Sequence, residues 1–139
     1  MLGVLALSGC GASHPADATI TLGTTSASGT DASSRLLDPG RFAAAVAEQR
    51  RVTINVHVPF EGAIPGTDLM IPYDRVGADH GRLPADRATP LAIYCRSGRM
   101  SAIAARELAG LGYTDIVELA GGMDAWAASG RQLLLRAPA

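Results

Sequence analysis

From Arg35 onwards the chain alternates short apolar runs with stretches whose apolar residues recur at helical spacing. The clearest pair is "LAIY", Leu91–Tyr94, followed by Ile103, Ala104, Leu108 and Leu111. The four-residue run after Pro90 predicts a strand buried on both faces of a parallel sheet. The spacing beyond it predicts a helix, with Gly98 freeing the turn, Ser101 as N-cap and Gly112 closing the far end. Upstream, Leu36 and Leu37 predict a short edge strand. Asp38 and Pro39 then supply an N-cap and first-turn residue for a helix with Phe42, Ala45 and Val46 on its apolar face. The β-branched "VTINVHV" of Val52–Val58 predicts a strand. Pro59–Thr67, with two prolines and two glycines, predicts a loop, and Leu69–Ile71 another short strand. A weak helix is expected within Tyr73–Gly81, then a polar connection over Arg82–Pro90. Asp115–Leu119 predicts the last strand, Gly121 and Gly122 a turn, Met123–Ala128 a helix containing Trp126, and the residues from Gly130 a frayed tail. Strands alternating with helices imply an α/β domain with a mainly parallel sheet covered on both faces.

The N-terminal quarter has a different pattern. Met1–Leu7 is apolar and runs into Leu7, Ser8, Gly9 and Cys10, which resembles the lipobox of bacterial lipoproteins. That resemblance implies cleavage before Cys10, lipidation of its sulfur, and a membrane anchor; several acyl chains hold a protein stably where one alone is marginal. The alternative is an apolar leader with a chance cysteine. Gly11–Ser34 is rich in Ala, Ser, Thr, Gly and Asp, with Ile20 and Leu22 its larger apolar residues. This is linker composition. As a flexible coil it holds a domain ~25–30 Å from its anchor. The expected organisation is therefore a signal-like segment over 1–9, the anchor cysteine and linker over 10–34, and one domain over 35–136, located in the cell envelope outside the cytoplasm. Without lipidation the protein is cytoplasmic.

Composition narrows the chemistry. The 139 residues, 47% hydrophobic, fit one domain of ordinary size beyond the linker. A net charge of −1 with no basic block argues against nucleic acid as a partner. All 12 basic residues are arginine, so P-loop, Schiff-base and pyridoxal chemistries that need lysine are excluded. His14, His57, His80, Cys10 and Cys95 show no metal-ligand spacing. Neither metal nor cofactor is expected, and the remaining nucleophiles are cysteine and hydroxyls.

Cys95 is the residue the pattern singles out. A cysteine at the carboxyl end of a buried strand and in front of a helix N-terminus faces unpaired backbone N–H groups and the positive end of the helix dipole. Arg96 and Arg99 add positive charge within the same few residues, which favours a reactive thiolate without a general base. Open α/β sheets also place their ligands at the carboxyl ends of the strands. The plainer reading is a buried structural thiol, which has no use for Gly98 and two flanking arginines.

"YCRSGRMSAIAARELAGLGYTDIVELAGGMDAWAASG", Tyr94–Gly130, resembles the C-terminal half of a rhodanese domain through C-R-S-G-x-x-S and G-Y-x-D-V-x-x-L-x-G-G-M-x-A-W. "LLDPGRFAAAV" and Ile64-Pro65-Gly66 extend the likeness back to about Leu36. The resemblance implies a three-layer fold with a five-stranded, mainly parallel sheet. It also implies a monomeric sulfurtransferase in which Cys95 takes sulfane sulfur from a donor such as thiosulfate. The persulfide then passes that sulfur to cyanide or a thiol. Arg96, Ser97, Gly98, Arg99, Met100 and Ser101 would form the substrate cradle, with thiosulfate drawn by Arg96 or Arg99. Many relatives have D-V-R where this chain has Asn55-Val56-His57, G-H-I where it has Gly62-Ala63-Ile64, and arginine where it has Met100. His57 is read either as a half-buried strand histidine or as a substitute polar contact near Cys95.

Two alternatives differ in class. A cysteine-dependent phosphatase shares a thiolate cradled by backbone N–H groups but needs C-x-x-x-x-x-R, and that position holds Ser101. A carrier or redox-sensing module would hold the persulfide without rapid turnover, a reading motivated by Asn55 and His57.

Overall fold

A computed structural model describes residues 34–139. Its elements run β1 (Arg35–Leu37), α1 (Pro39–Val46), β2 (Val52–Asn55), β3 (Leu69–Met70), β4 (Leu91–Tyr94), α2 (Arg99–Gly110), β5 (Ile116–Leu119) and α3 (Gly122–Ala128). The lipobox-like segment with Cys10, and the linker up to Ser33, lie outside the described residues. The strands form a five-stranded sheet in the order β1-β5-β4-β2-β3, with every pairing parallel.

β4 is the central strand, and its strict alternation builds both cores. Leu91, Ile93 and then Cys95 face a cluster completed by Ile54, Ile116, Ala104 and Leu108, which seats α2. Ala92 and Tyr94 face the other cluster, with Phe42, Val117, Leu119, Met123 and Trp126, which seats α1 and α3. Burial on both faces is why this run reads as continuously apolar. Phe42 meets Tyr94 and Trp126 edge to face, with ring centroids 6.2 and 6.5 Å apart, a geometry that suits the aromatic quadrupoles.

The helix ends follow the sequence closely. Asp38 accepts the Arg41 N–H at 2.9 Å with Pro39 in the first turn. After α2, Gly112 takes φ +99°, and the N–H groups of Gly112 and Tyr113 bond the Ala109 and Leu108 carbonyls. That is the Schellman arrangement a C-terminal glycine permits.

Three expectations change. β2 ends at Asn55 because the Asn55 side chain turns the chain, donating to Gly62 O at 3.0 Å and accepting from His57 N at 2.9 Å. In place of a helix within Tyr73–Gly81, residues 73–79 form turns, followed by a 3-10 helix at His80–Arg82; Gly77 and Gly81 weaken helix propensity in a stretch too short to nucleate one. The tail is tied down rather than frayed: Leu134 and Ala63 exchange both backbone hydrogen bonds, and Trp126 Nε1 donates to Gln132 O at 2.9 Å.

Arg51 is the buried cation of the fold, its side chain 5% exposed. It donates to the Leu91 carbonyl at 3.2 Å and pairs with Glu48 and Asp115. Desolvation alone would raise the Asp115 pKa, but Arg51 and Arg35 outweigh it and hold the carboxyl below its ordinary value. Replacing Arg51 by Ala removes a second donor from the Leu91 carbonyl and takes from Asp115 the more buried of its two arginine partners. The expected loss, read by urea unfolding, is about 3 kcal/mol; a change within the range of a surface substitution would refute the bracing role.

Candidate active site

β4 delivers Cys95 to the carboxyl edge of the sheet, and α3 fixes the chain as it leaves. The N–H groups of Met123 and Asp124, in the first turn of α3, donate to the Cys95 and Arg96 carbonyls at 2.9 and 3.0 Å. Such close approach needs a glycine. A Cβ on Gly122 would sit 2.4 Å from the Arg96 carbonyl carbon and oxygen and 2.5 Å from the Cys95 oxygen, and Gly122 has φ +60°. Gly121 and Gly122 were expected to be only a turn; Gly122 instead opens α3 and bears on the cysteine loop.

The loop then closes over the sulfur. Gly98, at φ +98°, is the N-cap of α2, and its N–H donates to Cys95 Sγ at 3.0 Å. Ser101 was expected at the cap; it lies inside the first turn, fully buried. Its hydroxyl donates to Gly98 O at 3.0 Å and accepts from the Cys95 thiol at 3.8 Å. Cys95 itself is 1% exposed. Its sulfur therefore faces the N-terminal end of a twelve-residue helix, where unpaired N–H groups and the helix dipole favour negative charge. Of the other residues predicted for the cradle, Ser97 and Arg99 are exposed, and Met100 packs half-buried on the core beneath α2.

Arg96 is placed differently from expectation. Its guanidinium pairs with Glu61 Oε1 at 2.8 Å and Asp124 Oδ1 at 3.4 Å, instead of standing open as a charge beside the sulfur. The other oxygen of Glu61 meets His57 Nε2 at 2.5 Å. The hydrogen bond from His57, and after it the one from Arg96, holds the Glu61 carboxyl below its ordinary pKa. Glu61 and then Asp124 push Arg96 further up. Asn55 fixes the start of this loop, as above. Tyr94 fixes its end by accepting the Ile64 N–H at 2.9 Å while sharing a hydrogen bond with Thr67. His57 is thus both the buried histidine at the strand end and a polar contact linked through Glu61 to the residue beside Cys95. Sequence reasoning missed Glu61 and Asp124. Neither had a local signal: His57 and Glu61 lie in a loop, where an i,i+4 spacing does not bring side chains together, and Asp124 depends on where α3 docks.

A thiol that accepts a backbone N–H at a helix N-terminus can act as a nucleophile toward an electrophilic sulfur and hold the anion that results. Among the described residues no grouping of His, Cys, Asp and Glu could hold a metal ion.

The rhodanese-like domain profile matches residues 48–129, more than half of the chain. The chain belongs to the rhodanese-like domain family. A rhodanese-related protein from Thermoplasma volcanium superposes with TM-score 0.62 at 26% identity, covering 73% of this chain and 99% of that one. A rhodanese-like domain protein from Staphylococcus aureus gives TM-score 0.59 at 25% identity over 74% and 99% of the two chains. A Rhodopseudomonas palustris protein of unknown function, described as a possible tyrosine phosphatase, shares the fold at 22% identity and TM-score 0.59, over 75% and 87%. No curated protein matches the chain. The rhodanese-like fold accounts for the parallel sheet, the helices on both faces and the loop at the end of β4.

Proposed function

We propose that this rhodanese-like domain is a sulfurtransferase in which Cys95 accepts sulfane sulfur and passes it, as a persulfide, to cyanide or a thiol. The observation that carries the reading is the 3.0 Å hydrogen bond from the Gly98 N–H to Sγ at the head of α2, because a donor already aimed at the sulfur stabilises an anion there without reorganisation. Phosphoryl transfer is disfavoured on the same geometry. A phosphatase loop places an arginine where Ser101 stands, and here that side chain is fully buried and bonded to Gly98 and Cys95.

The test is intact-mass measurement after incubation with excess thiosulfate, followed by cyanide. The expected result is a gain of one sulfur atom that cyanide removes as thiocyanate, with repeated turnover at steady state. Loading and release once per molecule without turnover would instead identify a persulfide carrier. No gain of sulfur from any donor would overturn the assignment.

A further inference from the structure

The amino edge of the sheet, the end away from Cys95, carries charge that the chemistry at the cysteine does not use. There a cavity of about 370 Å³, open to solvent, lies between the α1–β2 connection, the start of β3 and the 3-10 helix at His80–Arg82. Three arginines line it. Arg51 is the buried one, and its donors go to Glu48, Asp115 and the Leu91 carbonyl. Arg50 and Arg82 are exposed and, among the described residues, have no ion-pair or side-chain hydrogen-bond partner. The acidic side chains near them in sequence are already taken, Glu48 by Arg51 at 2.9 Å and Asp79 by Arg75 at 3.1 Å. Two uncompensated cations from separate segments thus border one cavity, in a chain whose net charge is −1. Asp68 is the carboxylate on its wall, and its Oδ2 accepts the Thr53 N–H at 2.8 Å. Leu69 and the buried Leu83 add apolar surface.

We propose that this cavity binds a small phosphate monoester whose organic group is apolar or aromatic. Each guanidinium presents N–H donors in a fork that matches two phosphate oxygens. Together Arg50 and Arg82 match the charge of a dianion, which a phosphate monoester approaches at pH 7 and above. A carboxylate brings one charge and leaves one of the two arginines without a partner. Leu69 and Leu83 take the organic group, a contact that bare phosphate cannot make. The volume lies at the small end of ligand sites and admits a compact molecule. Val52, on the cavity wall, pairs with Leu91 at the start of β4, four residues or ~13 Å of strand before Cys95. The ligand therefore occupies a second site, and its binding holds whether or not Cys95 transfers sulfur.

The experiment is a titration of the full chain followed by amide NMR shifts, at mildly alkaline pH and low ionic strength, with phenyl phosphate, benzoate and inorganic phosphate as probes. Phenyl phosphate should give saturable shifts centred on Leu69, Arg82 and Leu83. Benzoate and inorganic phosphate should each bind about tenfold more weakly or worse, since each lacks one half of the recognition. Arg50→Ala and, independently, Arg82→Ala should each weaken phenyl phosphate about tenfold. Asp68→Asn keeps an oxygen for the Thr53 N–H and removes the opposing charge, so it should tighten binding severalfold, a gain that a misfolded variant cannot imitate. No saturable shift, shifts centred on Gly98 at the head of α2, benzoate binding as tightly as phenyl phosphate, or unchanged affinity in either arginine variant overturns the assignment.

Discussion

Cys95→Ser should abolish sulfur uptake while leaving the fold intact. The serine hydroxyl can still accept the Gly98 N–H that reaches Sγ at 3.0 Å and can still meet Ser101. The site therefore stays satisfied, and the expected change in unfolding free energy is within about 1 kcal/mol. The chemistry does not survive. An alcohol at neutral pH carries no anion comparable with a thiolate and forms no S–S bond, so the loading rate should drop on the order of a thousandfold or more. The pair of measurements separates the two readings of a cysteine that is 1% exposed. A thiol that merely fills the core would lose stability on substitution, with no reaction to lose. A variant that still gains one sulfur under thiosulfate would place the accepting group elsewhere.

The elements around that cysteine were legible in the sequence for a physical reason. β4 lies at the centre of the sheet with both faces covered, so each of its residues had to be apolar, and a helix beginning four residues beyond Cys95 left a periodic signature. Asp38–Pro39 and Gly112 sit where helix ends need a side-chain acceptor and a positive φ, so their types announce them. Ser101 misled because serine is also a good N-cap; Gly98, whose φ of +98° few other residues tolerate, took that position and turned Ser101 inward. The tail was misread because its order comes from Ala63, some seventy residues earlier, and from the Trp126 indole, partners that no local pattern contains. The same limit hid Asp124, and it left Arg96 looking like an open charge. An ion pair made by side chains 35 residues apart has no periodicity to read.

Gly122→Ala should cripple the site from outside the loop. A methyl group there would lie 2.4 Å from the Arg96 carbonyl carbon and oxygen and 2.5 Å from the Cys95 oxygen, all backbone atoms that cannot swing aside. Relief requires α3 and the cysteine loop to part by roughly 1 Å to reach ordinary contact, and a misplacement of that size at a reacting centre costs on the order of a hundredfold in rate. The parting also lengthens the Met123 and Asp124 hydrogen bonds to those two carbonyls. A φ of +60° adds strain for any residue with a Cβ, about 1–2 kcal/mol. The control is Gly130→Ala: Gly130 also has positive φ, at +81°, but a Cβ there meets nothing within 4 Å. It should show the backbone strain as a lowered unfolding midpoint while loading sulfur at the wild-type rate. Gly122→Ala should lose stability by a few kcal/mol and lose sulfur loading as well, assayed at a temperature where circular dichroism shows it folded. Should folded Gly122→Ala load sulfur as fast as Gly130→Ala, the N-terminus of α3 does not set the geometry around Cys95.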